Sequence, residues 1–296
     1  MSTPSPTRPQ AIPGWLNATL ICGTFATLLW LEHRRPLRRQ TERKLTRNVR
    51  NLAMVGLSAT TIWLTERPVA SALAQFVERE QWGLVQYLRL PAWLKVGLSV
   101  LLLDYTLYLW HVLTHKVPVL WRFHRVHHAD LDLDASTALR FHCLEMVLSV
   151  PWRAAQVLAI GVAPLTLSIW QTATLLAILF HHSNVKLPLY IERWLCRFIV
   201  TPRMHGIHHS MIREEADANW STIFAFPDYL HRTRKLNVPQ QAVTIGVPAY
   251  RDPQELTFVE IMAMPFGKQR PTWQLPGDGS SPERDALAGT PARLAG

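Results

Sequence analysis

Eleven of the thirteen histidines lie between His111 and His209, and their spacing is suited to binding metal ions. Ten of them form four groups: His111-x3-His115, His124-x2-His127-His128, His181-His182 and His205-x2-His208-His209. Residues four apart on a helix share one face, so His111 and His115 could bind a single ion. In each H-x2-H-H group the first and last imidazoles share a face, and the middle one, about 100° away, is free to reach a second ion. The spacing therefore predicts metal binding.

The number of imidazoles favours two metal ions over one. The three spaced groups supply eight imidazoles, whereas a structural zinc site is complete with about four ligands. A lone histidine on an apolar face is usually a core residue, but so many imidazoles at a membrane boundary would be costly to bury without a shared partner. Clustered pairs do not resemble bis-histidine haem ligation. Imidazole suits zinc, copper and iron alike, so residue type alone does not choose the metal.

One acidic residue precedes the first histidine group on the same predicted helix face. Asp104 lies seven and eleven residues before His111 and His115. It is a candidate to orient a ligand imidazole through the ring nitrogen that does not bind metal. An equally weighted alternative makes Asp104 a buried acid paired with Arg122 or Arg140.

Two histidines are possible additions to the ligand set, His142 and His181. His142 lies in an R-F-H-x2-E stretch, where pairing with Glu145 is an equally good account. His181 and His182 are adjacent, and in a helix they cannot easily face the same site. We favour His182 as the ligand because a Ser-Asn pair follows it, and the asparagine of that pair, Asn184, is a further candidate to orient a ligand.

Apolar stretches of membrane-spanning length separate the histidine groups. Residues 15–31 and 94–113 are each long enough for a helix across most of the hydrocarbon layer, at about 1.5 Å per residue. Residues 144–180 are predicted to form two helices in a hairpin, broken by a G-V-A-P stretch. Residues 51–65 are a shorter and more polar candidate, and residues 68–90 are predicted to be an interfacial segment or a turn.

The distribution of charge predicts the orientation of these spans. Eight Lys or Arg residues lie between Arg34 and Arg50, which is typical of a cytoplasmic loop. With that loop in the cytoplasm, residues 114–142 and the end of the hairpin at His181 also lie on the cytoplasmic side. The expected fold is therefore all-α: a multi-pass transmembrane helical bundle with a cytoplasmic, histidine-rich di-metal cap.

The composition of the 296-residue chain agrees with a protein that lies partly in lipid. It is 48% hydrophobic, with a mean hydropathy of +0.04. The net charge of +10 comes without a basic face interleaved with aromatic residues, so we expect no nucleic-acid binding. The three cysteines have no CxxC spacing, which indicates a reducing compartment. The first ten residues lack the basic start of a signal peptide, so the first apolar segment is expected to be retained.

The order of the motifs resembles the fatty acid hydroxylase and sterol desaturase superfamily. Over roughly residues 100–235 the matching runs are D-x3-Y-x2-H-x3-H, W-R-F-H-R-V-H-H-A-D, S-T-A-L-R-F-H-x2-E, H-S-N, T-P-R-M-H-G-I-H-H-S, N-W-S and F-P-D-Y-L-H-R-T. Members of that family are integral membrane di-iron oxygenases that use O2 and externally supplied electrons. Carried onto this sequence, the resemblance implies two iron ions held by His111, His115, His124, His127, His128, His182, His205, His208 and His209.

The resemblance also implies an activity and its partners. The expected function is hydroxylation, in preference to desaturation, of a fatty acyl, sterol or isoprenoid chain. No G-x-G-x-x-G, haem-attachment or H-P-G-G motif occurs, so the electron donor is expected to be a separate protein, cytochrome b5-like or a ferredoxin with its reductase. Where many relatives have N-Y-G and W-D, this chain has N-W-S at 219–221 and P-D at 227–228, which we expect to affect substrate fit more than metal binding.

We expect the chain to consist of three segments. Residues 1–92 would hold the N-terminal spans and the basic loop, residues 93–235 the hydroxylase-like catalytic domain, and residues 236–296 a C-terminal extension that is disordered from about residue 268. Two other functions compete with that of a lipid oxygenase. A membrane metal transporter or sensor would need metal ligands along a path through the bilayer, whereas these histidine groups are expected on one side of it. A catalytically inactive scaffold relative would lack a ligand, and none of the spaced groups is broken.

Overall fold

The computed structural model describes residues 11–277 and 279–284, and within them the protein is all-α, as predicted. The α-helices are α1 (Gly14–Arg34), α2 (Lys44–Leu64), α3 (Glu66–Glu80), α4 (Leu84–Tyr87), α5 (Ala92–Lys116), α6 (Pro118–His128), α7 (Cys143–Ile160), α8 (Pro164–His182), α9 (Leu189–Leu195), α10 (Pro202–His208), α11 (Arg213–Ala216), α12 (Phe226–Leu230) and α13 (Phe258–Ala263). Short 3-10 turns occur at Thr137–Leu139, Gln240–Ala242 and Pro253–Leu256.

Four helices, α1, α5, α7 and α8, are long and apolar enough to cross a membrane. They cover the predicted stretches 15–31 and 94–113 and both arms of the predicted hairpin. The N-terminal region differs from the prediction. Helix α2 begins earlier than the apolar stretch at 51–65, and α3 occupies most of the segment predicted to be interfacial or a turn.

Helices α2 and α3 together run alongside α7. The Ser58 hydroxyl donates to the carbonyl of Phe141, just before α7 begins. At the far end, the loop after α3 meets the end of α7, where Gly83 and Gly161 both have positive φ, of 100° and 82°. A Cβ on Gly83 would lie 2.4 Å from the Cα of Gly161, so this contact requires glycine.

Helix α1 packs against α8, and the two helices run in the same direction. Near the start of α1, the amide oxygen of Asn17 accepts a hydrogen bond from the Thr172 hydroxyl at 3.0 Å. Near its end, the Glu32 carboxylate accepts from the backbone N–H of Asn184 at 2.9 Å and of Ala135 at 2.8 Å. The end of α1 is thereby tied to the histidine-bearing end of α8.

Part of the basic stretch between Arg34 and Arg50 is buried structure rather than loop. Arg47, with no exposed surface, pairs with Asp130 at 3.0 Å and with Asp134. Burial alone would raise the pKa of Asp130, but Arg47, Arg140 and Arg50 outweigh it and lower that pKa to about 2. These pairs fix the start of α2 to the segment directly after the H-x2-H-H group of α6.

The C-terminal extension is ordered well beyond residue 268, contrary to the prediction. The Trp273 ring stacks on Trp121 with ring centroids 5.7 Å apart. Arg284 donates to the Glu215 carboxylate at 2.6 Å. Overall composition predicted disorder because it does not register single anchoring residues such as these. The rest of the predicted disordered segment, residues 285–296, lies outside the described residues.

Candidate metal centre

Four helices, α5, α6, α8 and α10, bring the histidines together. His111 and His115 lie in the last turns of α5, and one residue later Pro118 begins α6, which carries the first H-x2-H-H group. Proline suits the first turn of a helix because it has no N–H to leave unpaired. Pro202 starts α10, which carries the second such group, in the same way. Within α10, the buried guanidinium of Arg38 passes next to Gly206, so a side chain at this position would have to displace it.

The histidines form two groups in which the possible ligand atoms all lie within 4.8 Å of one another. Group A contains His111, His115, His124, His128 and His208. Group B contains His127, His182, His205 and His209. In each H-x2-H-H stretch the first and last imidazoles share one group and the middle imidazole belongs to the other, as the helical spacing predicted.

The spacing between ring nitrogens fits shared metal ions. In group B, the Nε2 of His182 lies 3.0 Å from the Nε2 of His127 and 3.0 Å from that of His205, and the Nε2 atoms of His205 and His209 are 3.1 Å apart. Ligands about 2.0–2.1 Å from one ion have nitrogens roughly 3 Å apart. In group A, the buried Nε2 atoms of His115, His124, His128 and His208 have no hydrogen-bond partner among the described residues. Buried polar nitrogens of this kind need a partner, and a metal ion fits them.

Hydrogen bonds fix the orientation of three imidazoles in group A. The Nδ1–H of His111 donates to the carbonyl of Trp220, and the Nδ1–H of His208 to that of Ala218, both at 2.8 Å. The Nδ1–H of His124 donates to Glu145 at 2.7 Å. Because Nδ1 carries the proton in each ring, Nε2 is left as a free lone pair, which is the usual arrangement of metal-binding histidine.

Burial keeps five imidazoles, two on α6 and three at α10, in the neutral form. Burial, followed by the neighbouring imidazoles, holds the pKa of His127, His128, His205, His208 and His209 well below the ordinary value. A metal ligand must be deprotonated. The environment therefore already favours the form that binds metal.

The nine histidines in the two groups are the nine that the family resemblance implies, and their role as ligands stays a prediction. The two possible additions lie outside both groups. His142 caps α7 and its Nε2–H donates to the carbonyl of Met262 at 3.2 Å. His181 lies beside group B, with its ring centroid 4.1 Å from that of His205, while its Nδ1–H donates to the carbonyl of Thr222.

The two residues expected to orient ligands, Asp104 and Asn184, have other hydrogen-bond partners in the structure. Asp104 forms no hydrogen bond to an imidazole in the described part of the chain, nor does it pair with an arginine there. Its carboxylate accepts from the backbone N–H groups of Ile223 and Phe224, at 3.1 and 3.0 Å. Asn184 bonds the backbone of Arg38 instead of a histidine. Both side chains were predicted to contact a ligand histidine directly, and in the structure neither forms a hydrogen bond to one among the described residues.

The segment 218–222 orients histidines, although we expected its N-W-S sequence to bear on substrate fit. Its backbone carbonyls accept from three imidazoles of α5, α8 and α10. Asp228 holds the segment in place by accepting from the N–H groups of Trp220 and Ser221, both at 3.1 Å. A backbone carbonyl carries no sequence signal, which is why the motif comparison missed this role.

Glu145 is the functional candidate that sequence reasoning paired with the wrong histidine. We considered it as a partner of His142, three residues before it. The structure directs its carboxylate to His124 on α6, and its Oε2 is buried without a hydrogen-bond partner among the described residues. The sequence feature that could have identified Glu145 as a partner of a ligand is its position as the acid of the R-F-H-x2-E stretch.

A cavity of about 920 Å³ leads from the histidines into the helix bundle. Its walls come from α1, α2, α3, α5, α7 and α8, and residues of both histidine groups line it, among them His111, His124, His127, His182 and His205. More than half of the other lining residues are apolar, and the polar ones lie both beside the histidines, as Glu145 does, and farther into the bundle, as Glu66 and Arg153 do. A pocket of this size and character is suited to a lipid-sized ligand.

Comparisons with known proteins agree with this geometry. A model of the fatty acid hydroxylase family matches residues 96–233. The chain is 29% identical over 184 residues to ornithine lipid hydroxylase OlsE of Rhizobium tropici, covering 60% of this chain and 52% of that protein. It is 28% identical to human alkylglycerol monooxygenase, covering 44% of this chain and 28% of that protein. It is 26% identical to mouse cholesterol 25-hydroxylase, covering 51% and 50%. The match thus spans about half or less of these relatives, and no solved structure matches.

Proposed function

We propose that this chain, whose residues 96–233 match the fatty acid hydroxylase family, is a membrane-bound oxygenase that inserts an oxygen atom from O2 into a C–H bond of a lipid. One observation carries this proposal: nine imidazoles in two groups, seven buried and two half-buried, lie at one end of a largely apolar cavity of about 920 Å³. Such a cavity would place a hydrocarbon chain directly against a pair of metal ions.

The nine histidines would hold two iron ions, one in each group. Iron is the choice that the family relationship supports, since imidazole alone would also suit zinc or copper. When bound, the iron pair supplies the oxidising power toward O2 and the C–H bond. The protein's part is to hold neutral imidazoles in position. Glu145 and the carbonyls of Ala218 and Trp220 perform this part for group A, by fixing the proton on Nδ1.

The cavity would decide both the substrate and the outcome. Apolar side chains such as Leu107, Leu175 and Ile178 line it, so a lipid chain can displace water from the space beside the histidines. Hydroxylation and desaturation begin from the same oxidant and differ in how the substrate carbon is placed. We favour hydroxylation, which agrees with the names of the matched relatives.

The protein would span the membrane several times, with the metal centre on the cytoplasmic side. Arg34, Arg35, Arg39 and Arg43 are exposed in the connection between α1 and α2, and this connection lies at the same end of the bundle as the histidines. Exposed positive charge of this kind marks the cytoplasmic side of membrane proteins. Electrons would come from a separate donor protein on that side.

The metal transporter alternative fits the structure less well. In the described residues, the groups of histidine, cysteine and acid that could hold a metal are groups A and B, and both lie at one end of the bundle. A transport path would need ligands at successive depths in the bilayer. The inactive-relative alternative has no support in the ligand set, because all nine histidines lie in the two groups.

An isotope experiment tests the proposal. Membranes containing the protein would be supplied with 18O2 and reductant, and lipid extracts analysed by mass spectrometry. We expect 18O in a lipid with the parent protein and with a His142→Asn control, which retains a cap for α7. The His127→Ala, His128→Ala double variant, which removes one imidazole from each group, should give none. Lipids without 18O in all three samples would contradict an oxygenase.

A further inference from the structure

An ion pair lies in the wall of the cavity, well below the histidines. Glu66 begins α3, and Arg153 lies within α7, one of the helices able to span a membrane. The Arg153 Nε donates to the Glu66 carboxylate at 3.1 Å, and both side chains are 11% exposed. Both residues line the cavity. Ionisable residues in spanning helices are costly, and they commonly mark substrate pathways.

Hydrogen-bonding capacity is left over around this pair. The Arg153 guanidinium stacks on the ring of Trp170, 4.3 Å from its centroid. The Trp170 Nε1–H is buried and has no hydrogen-bond partner among the described residues. Arg153 directs its other hydrogen bonds to Gln156 and Glu66, and its Nη2 has none in the described part of the chain. A buried N–H group without a hydrogen-bond acceptor is unfavourable unless a bound ligand supplies that acceptor.

We propose that Glu66, Arg153 and Trp170 form a polar end-subsite, which binds the hydroxyl group of a lipid alcohol whose other end reaches the metal centre. This inference rests on the proposed function and narrows its substrate class. The hydroxyl oxygen would accept hydrogen bonds from Arg153 or Trp170, and its proton would be donated to the Glu66 carboxylate.

The charge of the subsite favours a neutral group over an anion. Glu66 and Arg153 already neutralise each other, and the neighbouring Arg67, which also lines the cavity, is exposed rather than buried beside Trp170. A carboxylate or phosphate at the buried pair would therefore lie in a low-dielectric environment without a buried counter-charge. A hydroxyl group carries no net charge and is both a donor and an acceptor. It therefore matches a site that offers N–H donors beside a carboxylate acceptor.

The separation between the subsite and the histidines sets the length of the substrate. Along α7, Arg153 lies eight residues after Glu145, which contacts His124, so the two are about 12 Å apart at the helical rise. Along α8, Trp170 and His182 are twelve residues or about 18 Å apart. The oxidised carbon should lie at about this distance, roughly 12–18 Å, from the hydroxyl oxygen.

Matched pairs of probes test the subsite without requiring turnover. Binding of cholestanol and of cholestane, and separately of octadecanol and octadecane, would be measured by equilibrium binding of radiolabelled probe to the metal-loaded protein in nanodiscs. We expect the alcohol to bind about ten- to a hundredfold more tightly than its hydrocarbon in at least one pair. The pair that shows this preference identifies a rigid sterol-like or a flexible chain-like substrate.

The key variant replaces both charged residues, Glu66→Met and Arg153→Met, because removal of one alone would leave the other charge buried and unpaired. It should lose the preference for the alcohol while it still binds the hydrocarbon and retains the metal content of the parent. Trp170→Phe, which removes the N–H and shortens the ring but keeps an aromatic face for Arg153, should lose part of the preference. The control carries the same two changes at exposed positions at the end of α3, Arg79→Met and Glu80→Met, and should behave as the parent does.

Equal binding of alcohol and hydrocarbon by the parent, or an unchanged preference in the double variant, would overturn the subsite. The 18O2 experiment separates this failure from a failure of the proposed function. A parent that labels lipid but shows no preference contradicts the subsite alone, whereas a parent that prefers the alcohol but labels nothing contradicts the oxygenase. As a positional check, the oxidised carbon should stay at a fixed distance from the hydroxyl group in a series of longer alcohols.

Discussion

Replacing Glu145 with glutamine would show whether a single carboxylate orients one half of the metal centre. The Oε1 of Glu145 accepts the Nδ1–H of His124 at 2.7 Å, and both side chains are only 4% exposed. Glutamine has nearly the same shape and keeps an amide oxygen that can accept this hydrogen bond. The substitution therefore removes the charge and leaves the geometry.

The expected effect follows from the strength of the lost interaction. A hydrogen bond to a charged group contributes about 1.5–3 kcal/mol, compared with about 0.5–1.5 kcal/mol for a neutral pair. The difference, about 1–2 kcal/mol, corresponds to a fivefold to thirtyfold change in an equilibrium constant. We expect Glu145→Gln to weaken metal binding in group A by about that factor. Group B, whose imidazoles do not contact Glu145 in the described structure, should keep the parent affinity.

Chelator competition on the metal-loaded protein in detergent measures both sites. The parent should release two equivalents of metal, and in Glu145→Gln one equivalent should move to a lower chelator concentration. His142→Asn is the matched control, because His142 lies three residues away but outside both groups. Equal weakening of both equivalents, or no change in either, would refute the assignment of Glu145 to group A.

Three further predictions concern residues around the centre. Asp228→Asn should loosen the segment that orients His111 and His208 and weaken metal binding in group A by about ten- to a hundredfold, which the same chelator titration measures. Trp273→Ala should remove the stack on Trp121 and speed metal release from group A by up to about tenfold, which stopped-flow release would detect. Asp130, with a folded-state pKa of about 2, stabilises the fold above its unfolded pKa near 4, and this contribution of roughly 2 kcal/mol is lost as the pH falls from about 4 to 2. Thermal unfolding of the metal-free protein should show that loss on acidification, and Asp130→Asn should be less stable at pH 7 with a flatter acid response.

The arrangement of the histidines could be predicted from the sequence because it depends on local geometry. Residues four apart on a helix must share a face, so the division of each H-x2-H-H stretch between two groups follows from the spacing alone. The apolar lengths of α1, α5, α7 and α8 were equally readable, since the length of a span is set by the thickness of the bilayer.

What the sequence could not predict depends on packing between distant segments. Glu145 lies near His142 in the chain, but the packing of α7 on α6 directs it to His124. Asp104 shares a helix face with two histidines, but its carboxylate accepts hydrogen bonds from the backbone N–H groups of Ile223 and Phe224. Spacing along one element limits which faces are available, and tertiary contacts decide which partner each face meets.

The C-terminal extension and the second helix show the limits of composition. Residues 268–284 are rich in proline and glycine, but Trp273 and Arg284 anchor them. Helix α2 was predicted too short at its start, where the sequence is polar. The basic sequence predicts a solvated loop at Arg47 and Arg50, whereas the helix already begins at Lys44. The partner that the two arginines share, Asp130, is eighty or more residues away in the sequence.

Metal content per chain is the most direct test of the central claim. The protein would be expressed with iron, purified in detergent and analysed for metal, together with single variants that remove one imidazole from group A, His128→Ala, or from group B, His127→Ala. We predict about two irons per parent chain and about one in each variant. A parent with one metal or none, or variants with unchanged metal content, would contradict a centre of two ions held by these two groups.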